Sequence, residues 1–208
     1  MTRLYKPDPA KTDPGTLTYG KHLSLMGILG GIAGNIDQVL LFHFVGPAQL
    51  ATYNFAIAIP DQTKGPLKGL NTMVQAKFVN RSEEEIHTGM RNKILLLFVT
   101  SLSFVVLYIA AAPFVYHFLF PKYVDAALYS QIYVVSILAI SLSPTGSYLV
   151  AKKKLRAQYI GNVIGSIFQI IAMTLGVIYW GLWGLIVARI LTRFFNSFAN
   201  FILYKITI

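Results

Sequence analysis

Six long apolar runs divide the chain, at Leu23–Val45, Leu50–Phe78, Lys93–Phe120, Tyr123–Ala151, Leu155–Trp180 and Leu182–Lys205. At about 1.5 Å of rise per residue, each is long enough to cross a hydrocarbon core of roughly 30 Å as a helix. Membrane strands need only about ten residues and alternate polar with apolar, so these run lengths predict helices. The second run breaks the pattern. It is apolar from Leu50 to Ile59, then carries Asp61, Lys64 and Lys68 and is interrupted by Pro60, Gly65, Pro66 and Gly69. Its polar residues Asn54, Asp61, Lys64, Lys68, Asn71 and Gln75 recur at helical spacing and share one face. A charged stripe of this kind cannot face lipid; it must turn to water or to other polar helices.

Two further stripes have the same form. The fifth run carries Gln158, Asn162, Gly165 and Gln169, and the sixth Arg189, Arg193, Asn196 and Asn200, each at steps of four, three and four. The first run pairs Gly27 with Gly31 and Gly30 with Gly34, a spacing that lets a neighbouring helix approach closely. Asp37 continues the second of those faces, and an acid inside a span is costly enough to point to an ion or proton role. Four cations within spans, Lys64, Lys68, Arg189 and Arg193, exceed the two acids Asp37 and Asp61. That excess predicts a hydrated, positively charged cavity. The cations form a ladder suited to an anion such as a phosphate head group.

Smaller signals fill in the chain. Ser82 and Glu85 fit a helix N-terminal capping box ahead of the third run. Pro144, within SLSPTGS, is expected to kink the fourth run while neighbouring hydroxyls satisfy the freed carbonyls. The third run is nearly free of polar groups and reads as the lipid-facing helix.

Composition agrees with a membrane protein. The chain of 208 residues is 55% hydrophobic and 12% charged, against about 25% charged in a soluble domain. Mean hydropathy is +0.57. The net charge of +10 is spread between apolar runs, so it reads as an orientation signal and not as a nucleic-acid footprint. Lys and Arg cluster before the first run, between the second and third, between the fourth and fifth, and at the end, whereas the opposite turns hold only Lys122. Both termini are therefore expected in the cytoplasm. Residues 1–20, with Pro7, Pro9 and Pro14, read as an extended linker, and 21–208 as the six-helix membrane lobe. A linker at the start implies the second part of something larger. There is no cysteine, and His22, His43, His87 and His117 are isolated. No enzyme activity, metal or cofactor is expected.

The stretch YGKHLSLMGILGGIAGNIDQVLLFHFVGPAQLATYNFAIAIP, with Ile36-Asp37, the turn Val45-Gly46-Pro47 and the opening Leu50-Ala51-Thr52-Tyr53, carries a resemblance. It is similar to the start of the C-terminal lobe of polysaccharide and O-antigen flippases. These belong to the multidrug/oligosaccharidyl-lipid/polysaccharide exporter superfamily. The resemblance covers about Tyr19 to Lys205 and implies an all-α integral membrane protein of the inner membrane, one six-helix lobe of a MATE-like exporter. It implies flipping of a polyprenyl-pyrophosphate-linked oligosaccharide by alternating access. Lys64, Lys68, Asn71, Gln75, Asn162, Gln169, Arg189, Arg193, Asn196 and Asn200 would line the cavity, and Asp37 or Asp61 would couple to an ion. The expected partners are the lipid bilayer, the lipid-linked glycan, and either a missing N-terminal lobe or a second copy of the chain. The alternatives are half of a drug or cation antiporter, which an excess of positive charge disfavours, or a non-transporting assembly subunit.

Overall fold

The computed structural model describes residues 16–63, 73–79 and 81–207. Among them there is no strand. α1 (Thr16–Phe44) already includes the last residues of the stretch read as a linker. It turns through Val45 and Gly46 into α2 (Pro47–Gln62), with Gly46 at φ 105° and Pro47 supplying a preset first helical residue. α2 is capped at Thr63, whose hydroxyl donates to the Pro60 carbonyl at 2.7 Å. The second run is therefore not one continuous helix; helix resumes as α3 at 73–79.

α4 (Glu83–Leu119) starts where Ser82 accepts the Glu85 N–H at 3.2 Å, the expected cap. Pro113 lies inside α4 and cannot donate to the Ile109 carbonyl. The Gln131 side-chain amide takes that carbonyl instead, at 2.7 Å. Leu95, Leu96, Val106, Leu107, Phe114 and Phe118 of α4 are all exposed, as a lipid-facing helix requires.

α5 (Ala126–Val134) and α6 (Ser143–Ala151) are joined by a 3₁₀ stretch, Val135–Leu142. Such stretches seldom exceed three or four residues. Pro144 accounts for the last turn of this one: the ring has no N–H to give and clashes with the Ile140 carbonyl, so the backbone there tightens. The Ser141 and Thr145 hydroxyls donate to the Leu138 and Leu142 carbonyls, at 2.8 and 2.7 Å.

α7 (Leu155–Thr207) is two helices folded back on each other at Gly181, whose φ of 58° and ψ of −134° are open essentially to glycine alone. The arms meet at Gly176 and Gly184, where a Cβ on Gly176 would lie 2.6 Å from the Gly184 carbonyl oxygen. Further along, Phe168 stacks on Phe195 at 4.1 Å. The glycines of α1 do not play the expected part. Among the described residues nothing lies within 4 Å of a Cβ placed on Gly27, Gly30, Gly31 or Gly34.

The turns at Gly46, Phe120–Asp125 and Gly181 lie at one end. At the other, Lys154 pairs with Glu83 at 3.5 Å, Tyr148 donates to Glu83 at 3.1 Å, and Lys152 donates to the Arg81 carbonyl at 2.7 Å. These bonds tie the start of α4 to the α6–α7 turn. Among the described residues, three helical segments are long and apolar enough to cross a membrane: Glu83–Leu119, Ala126–Ala151 and Leu155–Thr207. The chain is an all-helical integral membrane protein by that measure.

Candidate functional site

Two polar regions meet on the second arm of α7. The first is a charge cluster. Arg189 and Arg193 stand one turn apart and point toward α1, α2 and α5. Asp37, fully buried on α1, forms an ion pair with Arg189 and accepts a hydrogen bond from the Tyr53 hydroxyl. Arg189 also donates to the Tyr53 and Tyr133 hydroxyl oxygens, at 2.6 and 3.1 Å. Arg193 pairs with Asp61 at 3.0 Å, donates to Ser136 at 2.5 Å, and lies over the Tyr133 ring at 4.4 Å. Tyr133 in turn donates to Asp61 at 2.9 Å. Asp61 and Arg189 approach to 3.8 Å, which links the two pairs. Two cations and two acids thus balance within one joint between four helices. Inside a bundle such charges are tolerable only when paired and hydrogen-bonded. Asp37 Oδ1 is the exception, buried with no partner.

This corrects one expectation. Arg189 and Arg193 do not present free positive charge to a cavity. Their side chains are only 16% and 20% exposed, and the acids expected to couple ions hold them. The physical reason is that a buried guanidinium gains far more from a carboxylate at contact than from a distant anionic cargo. Lys64, Lys68 and Asn71 lie outside the described residues. Gln75 is half-buried on α3 and joins neither polar region.

The second region is a cavity of about 410 Å³ bounded by α1, α6 and both arms of α7. Its polar lining is Gln158, Asn162, Ser166, Gln169, Asn196 and Asn200, and its close walls include Gly30, Gly146, Gly161 and Gly165. Four of the expected cavity residues, Asn162, Gln169, Asn196 and Asn200, are therefore brought together. No charged side chain and no aromatic ring lines it among the described residues. The amide nitrogens of Gln158, Asn162 and Gln169 are committed to the carbonyls of Leu149, Gln158 and Ala33, at 2.9, 3.0 and 2.5 Å. The Gln158 and Gln169 side chains each keep a second N–H and their Oε1 to offer, whereas Asn196 Oδ1 is buried against Gly165 without a partner. The cavity is uncharged and lined by amides that both donate and accept, suited to a neutral, hydroxyl-bearing ligand.

Tyr53, Tyr133 and Ser136 were given no site role from the sequence, although Tyr53 stood in the stretch that carries the resemblance. A signal existed for Tyr53, which precedes Asp61 by two turns on the same helix. A tyrosine next to a charged intramembrane face needs a partner for its hydroxyl. Among the described residues no group of three or more His, Asp or Glu is placed to hold a metal ion. The chain matches no protein-family model, no curated protein and no solved structure.

Proposed function

We propose that this chain is one six-span lobe of a transporter that carries a lipid-linked oligosaccharide across a membrane, with the glycan passing through the amide-lined cavity. The observation that supports this best is a neutral, amide-lined cavity inside a bundle whose outer surface is apolar. Sugar hydroxyls suit such a lining. A cationic drug would call for a carboxylate or an aromatic wall, which the lining lacks. This reading follows the flippase resemblance of the sequence but gives the cargo contact to amides, not arginines. The alternating-access, MATE-like architecture belongs to the same proposal. So does an inner-membrane location with the Lys152–Lys154 end facing the cytoplasm.

The charge cluster then acts as the coupling joint. It fastens the second arm of α7 to α1 through Asp37, to α2 through Asp61 and to α5 through Tyr133. A proton on either acid weakens its pair and loosens the arm, which gives an ion gradient a handle on the cavity wall. The open glycine face of α1, flanked by exposed Asn35 and Gln38, is where a second lobe or a second copy would pack.

The test is transport. The chain is reconstituted in liposomes, alone and with a second lobe, and a fluorescent lipid-linked sugar is followed across the bilayer. Asn162→Leu combined with Asn200→Leu should reduce the rate at least tenfold, because two amides of the lining are replaced by hydrocarbon. An unchanged rate in an assembly that transports contradicts the role of the cavity. No transport by any assembly contradicts the function itself.

A further inference from the structure

We infer that the Gly181 end of the chain carries a second saccharide-binding site, a groove built on the Tyr129–Trp183 ring pair. The groove has a volume of about 590 Å³ and lies between the start of α2, Pro113 of α4, the start of α5 and Trp183 of α7. That volume falls in the range of roughly 300–1,000 Å³ typical of small-molecule sites. The rings of Tyr129 and Trp183 lie 4.8 Å apart, tilted by 57°.

An aromatic belt anchor is the plain alternative for a tryptophan at a membrane edge. The neighbouring residues argue against it here. Tyr179 and Trp180 are 69% and 70% exposed, as outward anchors are, whereas Trp183 is 40% exposed and turned onto Tyr129. Polar groups surround the ring pair: Gln49, Thr52, Asp125 and Gln131. Asp125 stands at the N-terminus of α5 yet makes no capping bond, so its carboxylate is exposed and uncommitted. Gln131 is held in place by its bond to the Ile109 carbonyl, which leaves its side-chain oxygen as an acceptor.

A pyranose offers two kinds of surface. Its C–H face packs on an aromatic ring, and its ring-edge hydroxyls donate to carboxylate and amide oxygens. This groove supplies both, whereas the amide cavity supplies only the second. The two sites lie toward opposite ends of the α7 hairpin: the groove uses Trp183 beside the Gly181 turn, and the cavity reaches Gln158 and Asn200. The groove therefore takes the glycan at the other mouth of its path, a role that rests on the transport reading, although binding itself does not.

The experiment uses the full chain in lipid nanodiscs, free of sugar-headed detergent. The methyl glycosides of glucose, galactose, rhamnose and N-acetylglucosamine are screened by saturation-transfer NMR, with glycerol as the control. At least one glycoside should bind saturably. Trp183→Leu, and separately Asp125→Asn with Gln49→Leu, should weaken that binding at least tenfold without moving the thermal midpoint. The inference is overturned if no glycoside binds more than glycerol does. It is also overturned if binding survives both changes and is lost only with Asn162→Leu and Asn200→Leu. Failure here with transport intact removes the groove alone. Sugar binding at Trp183 without transport in liposomes would instead remove the transport reading and leave the groove.

Discussion

Arg189 and Arg193 share one helical stripe with Asn196 and Asn200, yet the two halves of that stripe do different things. The arginines are closed off by Asp37, Asp61, Tyr53 and Tyr133. The asparagines, about 10–16 Å further along the helix from Arg189, line an open cavity. Both halves are polar faces inside a membrane bundle. The difference lies in what the opposing helices offer. α1 and α2 bring acids to the level of Arg189 and Arg193, while α6 and the first arm of α7 bring glycines and amides to the level of Asn196 and Asn200. A polar stripe therefore becomes a joint where its partners can neutralise it, and a cavity wall where they leave space.

The largest expected effect breaks the joint. Asp37→Asn strands the buried Arg189 guanidinium, and removing one member of a buried pair costs about 3–5 kcal/mol. Thermal unfolding in nanodiscs should show a large fall in midpoint. Adding Arg189→Gln should recover part of it, since the stranded charge is gone. A single Asp37→Asn variant as stable as the parent would mean that the pair carries no structural load.

A second pair of regions sharpens the point about partners. The glycines of α7 are in close contact, and those of α1 are open. Gly184→Ala pushes a methyl into the backbone of the facing arm, an overpacking that costs about 1–3 kcal/mol. Gly31→Ala meets nothing among the described residues and should leave the isolated chain as stable or up to about 1 kcal/mol more so, since alanine favours a helix interior over glycine. If an assembled complex is instead weakened by Gly31→Ala, the α1 face is the seat of the partner. Equal effects of the two changes on the isolated chain would contradict the contrast.

Much of the helical framework was legible from local chemistry. Ser82 and Glu85 announced the start of α4, Pro144 announced the distorted fourth run, and the break between Trp180 and Leu182 falls on the glycine that makes the hairpin. Each of these depends on neighbours a few residues apart. Pro60 and Gly65 marked an interruption in the second run, but the stripe from Asn54 to Gln75 kept helical phase across it, so the run read as one span and not as a helix that stops at Gln62. The site was half legible for a related reason. Periodicity shows that a face is polar but not which helix it meets, so Asp37, Asp61, Arg189 and Arg193 were found as residues but not as pairs. Counting charges along the chain gave a cationic cavity; pairing them in space gives a neutral one among the described residues. Glycines recur both in α1 and on either side of Gly181, and only the fold separates the face that is filled from the face that is not.

The central claim is that the amides, not the arginines, meet water and cargo. Because the chain has no cysteine, single cysteines report directly. Asn162→Cys, Asn200→Cys and Arg193→Cys, each reconstituted in bilayers, are exposed to a membrane-impermeant thiol reagent from either side. Labelling should be fast at 162 and 200 and slowed there by a bound lipid-linked sugar, and at least tenfold slower at 193. Fast, sugar-protected labelling at 193 with none at 162 and 200 would contradict it.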